Sequence, residues 1–216
     1  SLTKIPMIPG LLELDCRYCD LLKKLPLIHG LRNLYCGGCI SLVEIPMIPG
    51  LQALDCWGCE SLTKIPMIPG LRRLICMKCT SLGSIPLIQE LKYLYCSCCP
   101  LITQIPQIQE LDTLYCSECP LLTRIPMIQG LQRLRCRGCR LLISIPQVQW
   151  LQLECNDCIW LSNDPRYQDN IKNLIVIQKW IKRIILGKRI MRMIPGLVPI
   201  YYHPDHRGGF FHKKRI

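Results

Sequence analysis

Sixteen of the seventeen cysteines fall in eight C-x-x-C pairs, from Cys16 and Cys19 to Cys155 and Cys158. Over most of the array one pair is separated from the next by sixteen residues, as between Cys39 and Cys56. Two thiols at that spacing, followed by two more, match the template of a structural zinc site, where four thiolates complete a tetrahedron. Stacked pairs could also form disulfides in an oxidising compartment. A reactive thiol would need a base within reach. Spacing alone does not choose among these.

What positions the cysteines is a repeat. The pattern of Ser1 to Asp20, SLTKIPMIPGLLELDCRYCD, returns at 21, 41, 61, 81, 101 and 121, and once more from Leu141, shortened by one residue. Each copy reads x-L-x-x-I-P-x-I-x-x-L-x-x-L-x-C-x-x-C-x, with Leu25 once replacing the Ile. A fixed period of this length implies a solenoid whose turns bury their apolar sides against one another. In L-x-x-L-x-C, apolar residues such as Leu54 and Cys56 alternate, which predicts a short strand with one face inward. The other half, IPMIPG at 45–50, cannot be a helix interior because Pro removes a backbone donor and holds its predecessor extended. An extended, polyproline-like return leg follows. Strands of successive turns should pair in parallel about 4.8 Å apart, so eight span about 38 Å.

The run L-x-x-L-x-C-x-x-C-x-x-L, as in Leu71, Leu74, Cys76, Cys79 and Leu82, resembles the leucine-rich repeat signature. The following L-x-x-I-P is similar to short repeats with extended convex sides, found in some bacterial effectors and plant immune receptors. The Cys-rich I-P-x-I form, with the tail Tyr201-Tyr202-His203-Pro204-Asp205 and Gly208-Gly209, looks most like leucine-rich repeat proteins of giant DNA viruses. That resemblance implies strands on a concave side, extended convex segments, and a scaffold that binds protein.

Because the whole unit repeats, and not the Cys pair alone, the thiols are expected to form two internal ladders rather than metal sites. The first Cys of each pair would be an inward strand residue, and the second would meet backbone groups of the adjacent turn. With no secretory signal, a reducing cytoplasmic interior is expected, a host cell's included. Cys98 is the odd thiol, expected to face outward at a variable position. The array's one histidine, His29, lies three repeats away on the return side. No acid, base and nucleophile converge, so no catalytic residue, metal ligand or cofactor is assigned and no enzyme activity is expected.

The variable strand positions are where recognition is expected. Tyr35, Trp57, Tyr93, Tyr95 and Tyr115 form a central aromatic stripe, of the residue types that dominate binding hot spots. Strand propensity also favours Tyr on a sheet face. Arg133, Arg135 and Arg137 add a basic cluster able to meet an acidic patch or a phosphate.

The array thus covers 1–160. Ser162-Asn163-Asp164-Pro165 is a helix start, and the broad apolar arc after it better suits a helix sealing the last repeat than a membrane-surface or partner-groove helix. A helical cap over 161–195 is expected, then a basic aromatic tail over 196–216. Charge is uneven: 1–120 carries ten Lys/Arg against ten Asp/Glu, and 161–216 twelve against three. No run of about twenty apolar residues suggests a membrane span, and the absence of an N-terminal cap suggests an array that begins earlier than Ser1. The function expected is non-catalytic binding of a partner protein through the strand face. The alternatives are a structural zinc-binding Cys ladder, or a nucleic-acid or membrane-surface adaptor acting through the basic C-terminal segment. Neither nucleic acid nor a membrane is the favoured partner.

Overall fold

The structure is a computed structural model and describes residues 2–145 and 152–155. Contacts divide the chain into 1–158 and 159–216. The expected helical cap and basic tail lie outside the described residues. No helix of the described residues is long and apolar enough to cross a membrane.

Eight three-residue strands form one sheet in sequence order: β1 Glu13–Asp15, β2 Asn33–Tyr35, β3 Ala53–Asp55, β4 Arg73–Ile75, β5 Tyr93–Tyr95, β6 Thr113–Tyr115, β7 Arg133–Arg135 and β8 Gln152–Glu154. Every neighbouring pair is parallel. The chain is therefore a repeat solenoid, as its period implies. Leu14 faces Leu34, which faces Leu54, so the register offset equals the repeat length. At β7–β8, Leu134 meets Leu153, one residue early, because the last unit is one residue short. The pairing keeps leucine on leucine, since a slip by one would turn every inward side chain to solvent.

Pairing continues past the strand ends. Cys36 N–H donates to the Asp55 carbonyl at 2.7 Å and Gly38 N–H to that of Trp57 at 2.6 Å. On the opposite side the return leg is extended and also in register. Lys24, Glu44 and Lys64 make successive parallel bridges, and Val43 N–H donates to the Lys23 carbonyl at 3.3 Å. Proline fits here because this side carries only isolated bridges, not a continuous ladder that needs every N–H.

Seven side chains per turn point inward. In the third turn these are Leu42, Ile45, Ile48, Leu51, Leu54, Cys56 and Cys59, all buried. Stacking such layers removes apolar surface from water at roughly 25 cal/mol per Å². In turn one Leu2 and Ile8 are 58% and 43% exposed, where the equivalent Leu22 and Ile28 of turn two are buried.

The two cysteine columns differ in role. Position sixteen packs inward at the end of the strand. The thiol at position nineteen reaches back one turn: Cys39 donates to the Cys16 carbonyl at 3.1 Å, Cys59 to Cys36 at 3.1 Å and Cys79 to Cys56 at 3.1 Å. Cys99, Cys119 and Cys139 repeat the bond to Cys76, Cys96 and Cys116 at 3.0–3.2 Å. The same sulfur also receives a backbone N–H of the preceding turn, Cys19 for Cys39, Cys79 for Cys99 and Cys99 for Cys119. Each such thiol ties a strand-end carbonyl to the next turn; the carbonyls of Cys36 and Cys56 also accept from Cys39 and Cys59 N–H, at 3.3 and 3.2 Å. A buried carbonyl without such a partner would cost about 1–3 kcal/mol. No disulfide joins the described cysteines, and among the described residues no group of three or more His, Cys, Asp or Glu is placed to hold a metal ion.

Candidate recognition surface

The outward residues of each strand and the turn after it line up in columns, because one register runs through the sheet. The middle column reads Asp15, Tyr35, Asp55, Ile75, Tyr95, Tyr115, Arg135 and Glu154. Tyr95 and Tyr115 are directly opposed and pack edge to face, with ring centroids 5.0 Å apart. That geometry sets the positive edge of one ring against the negative face of the other. Cations close over the stripe: Arg73 lies 5.6 Å from the Tyr95 centroid, Arg135 4.4 Å from that of Tyr115, and Arg17 5.8 Å from that of Tyr35. Each exposed contact of this kind contributes about 0.5–1 kcal/mol. Tyr93, in the neighbouring column, is 37% exposed.

Three of the five stripe residues belong to this column, Tyr35, Tyr95 and Tyr115, all half-buried, and Tyr93 stands beside them. Trp57 lies past the end of β3, two turns from Tyr18, and the two rings meet edge to face at 5.9 Å. Lys78 Nζ sits 5.9 Å from the Trp57 ring. Tyr18, 66% exposed, was not among the expected residues. The signal for it is Gly37-Gly38, the one turn with no side chain at both positions. A Cβ on Gly38 would lie 2.7 Å from the Tyr18 ring, so the ring occupies the space that a side chain would fill.

The basic cluster is brought together in one turn, but two of its members are engaged. Arg133 pairs with Asp112 at 3.1 Å and Arg135 with Glu154 at 2.9 Å. The Thr113 hydroxyl, and then Arg133, hold the Asp112 carboxyl below the usual carboxylate range. Thr113 itself is buried, at 1% exposure, although its position alternates outward. Arg137 is exposed and makes no ion pair among the described residues.

Cys98 is half-buried in a left-handed backbone conformation with φ of 60°. Burial, and then the Glu118 carboxylate, raise its thiol pKa, while Lys78 opposes them weakly. The group is thus a thiol at neutral pH. The other non-glycine residues in this conformation, Tyr18, Lys78 and Glu118, occupy the same place in their turns.

Comparison with family models, with curated proteins and with solved structures found no match.

Proposed function

We propose that this chain is a leucine-rich-repeat-type scaffold that recognises a partner protein through its strand face, without catalysis. The supporting observation is the contrast between framework and face. Inward residues are nearly identical from turn to turn, while the outward columns carry a different residue in almost every turn, with tyrosines and arginines at the centre. Tyr93, Tyr95 and Tyr115 offer rigid amphipathic contact area, and Arg73 and Arg135 hold the rings of Tyr95 and Tyr115 in place. Arg137 supplies an exposed charge at the basic end, and Tyr35 and Trp57 extend the surface towards turn one. Hot spots of this composition carry most of the energy in protein interfaces. Buried thiols that satisfy the backbone favour a reducing compartment as the place of action.

The test is capture from nuclease-treated lysate by the intact chain and by Tyr93→Ser/Tyr95→Ser/Tyr115→Ser, each shown by circular dichroism to keep its sheet. A protein held by the intact chain and lost by the folded variant supports the reading. A protein held equally by both places recognition elsewhere.

A further inference from the structure

The return side carries a second surface. In each of the first five turns the residue after the first proline points away from the core, and in all five it is Met or Leu. Met7, Leu27, Met47, Met67 and Leu87 are 65%, 39%, 54%, 63% and 44% exposed. The parallel bridges joining Lys24, Glu44 and Lys64 show that the return legs stack with the same twenty-residue offset as the strands. Three residues further on, the Met and Leu side chains of successive return legs therefore lie in one row, about 4.8 Å apart where the bridges join turns two to four. Single exposed apolar residues are ordinary, but a continuous row marks an interaction site.

The ridge lies between two rows of cations. Lys4, Lys24 and Lys64 are on one side and Arg32, Arg72 and Lys92 on the other, all exposed. Over these five turns the return legs, positions two to twelve of each unit, hold seven Lys/Arg against two Asp/Glu. The strand-and-turn side, positions thirteen to twenty, holds three against five. Glu44, an acid within the first row, is already paired with Lys24 at 3.3 Å. The solenoid is thus polarised across its section, and the apolar ridge belongs to the positive side.

We propose that this return face docks peripherally on an anionic lipid surface. The Met and Leu side chains would sit at headgroup level, and the flanking Lys and Arg would meet phosphate and carboxylate groups. Cations beside an apolar row are what such a surface attracts. The uniformity of the ridge separates a bilayer from a protein partner. The strand face varies from turn to turn, as a specific protein site should, whereas the ridge holds only Met and Leu through these five turns, which suits a laterally uniform, fluid layer. Docking on this side leaves the strand face directed away from the lipid, and the proposal stands independently of what that face binds.

The chain itself supplies conservative test variants. Gln107 occupies the ridge position in turn six, and Gln104 the position of Lys24 and Lys64, so glutamine suits the fold at both. The experiment is flotation of the full chain with phosphatidylcholine vesicles, with or without about 30 mol% phosphatidylserine. It is repeated with Leu27→Gln/Met47→Gln/Met67→Gln and with Lys24→Gln/Lys64→Gln, after circular dichroism confirms folding. Residues 161–216 are common to all three proteins, so their charge contributes equally. The expected result is salt-sensitive binding to the anionic vesicles alone, weakened about tenfold or more in the ridge variant and less in the lysine variant. Binding by the ridge variant equal to that of the unaltered chain would overturn the proposal and assign vesicle binding to the basic C-terminal segment. Failure of the unaltered chain to bind anionic vesicles would also overturn it, leaving the ridge to a protein partner.

Discussion

Tyr18 and Trp57 stand two turns apart, yet their rings meet edge to face with centroids 5.9 Å apart. Two strand spacings alone would separate their backbones by about 10 Å. The contact closes because Gly38, in the turn between, presents no side chain, and the Tyr18 ring lies over its α-carbon. Glycine there also meets a backbone demand, since φ is +76°.

Gly38→Ala should therefore act twice. The left-handed conformation costs a residue with a Cβ about 1–2 kcal/mol, and the new methyl must push the Tyr18 ring off Trp57. Urea denaturation should show a loss of about 2 kcal/mol, with a changed environment for the Trp57 indole by NMR. An unchanged midpoint and indole signal would show that the ring contact carries no energy.

The converse holds at Glu118, where φ is 56° in an exposed non-glycine residue. Glu118→Gly relieves that strain at the expense of a more flexible unfolded chain. The net gain should be about 0.5–1 kcal/mol, read as a higher melting temperature. A lower melting temperature would mean that the Glu118 side chain makes a contact worth more than the strain.

Cys59 tests the ladder. Its thiol donates to the buried Cys36 carbonyl at 3.1 Å. Cys59→Ala leaves that carbonyl with only the 3.3 Å bond from Cys39 N–H and opens a small void, at a cost of about 1–2 kcal/mol. Cys59→Ser keeps a donor in place and should lose less. Equal losses would show that the sulfur acts by volume alone.

Alkali should dissolve the array. In the strand-end column, the thiol of Cys36 is pushed well above 9 by the neighbouring Cys59 thiol and then by burial, and Cys56, Cys76 and Cys116 follow the same order of causes. Cys96 is raised by burial first. Since these folded values lie above the unfolded value of 9.0, the unfolded chain holds fewer protons once the pH passes about 9. The stability these strand-end thiols supply is thus complete below that pH and declines above it, opposed in part by Cys39 and Cys99, which hydrogen bonds to Cys16 and Cys76 hold below 9.0. Thermal melts at neutral pH and at about pH 10 check this; a flat profile would contradict it.

Much of this molecule is visible in its repeat. Period two through Leu54 and Cys56 sets the strand, Pro46 and Pro49 keep the return leg extended, and a constant interval puts like on like, so sheet order and parallel pairing follow. Even the register step at β8 follows from the single residue missing in the last unit. The inward cysteines and the aromatic stripe could be named for the same reason, because periodicity decides which way a side chain points. Periodicity does not decide what that side chain meets one turn away. Only the packed stack shows Arg133 and Arg135 held by Asp112 and Glu154, Thr113 covered, and Tyr18 folded across a glycine onto Trp57. Those outcomes depend on side-chain length and charge across neighbouring turns, residues some twenty or more positions apart that a repeat pattern treats as equivalent. The Met and Leu ridge belongs to both levels. Its residue types are written in the sequence, but its place between two cationic rows exists only once the return legs stack.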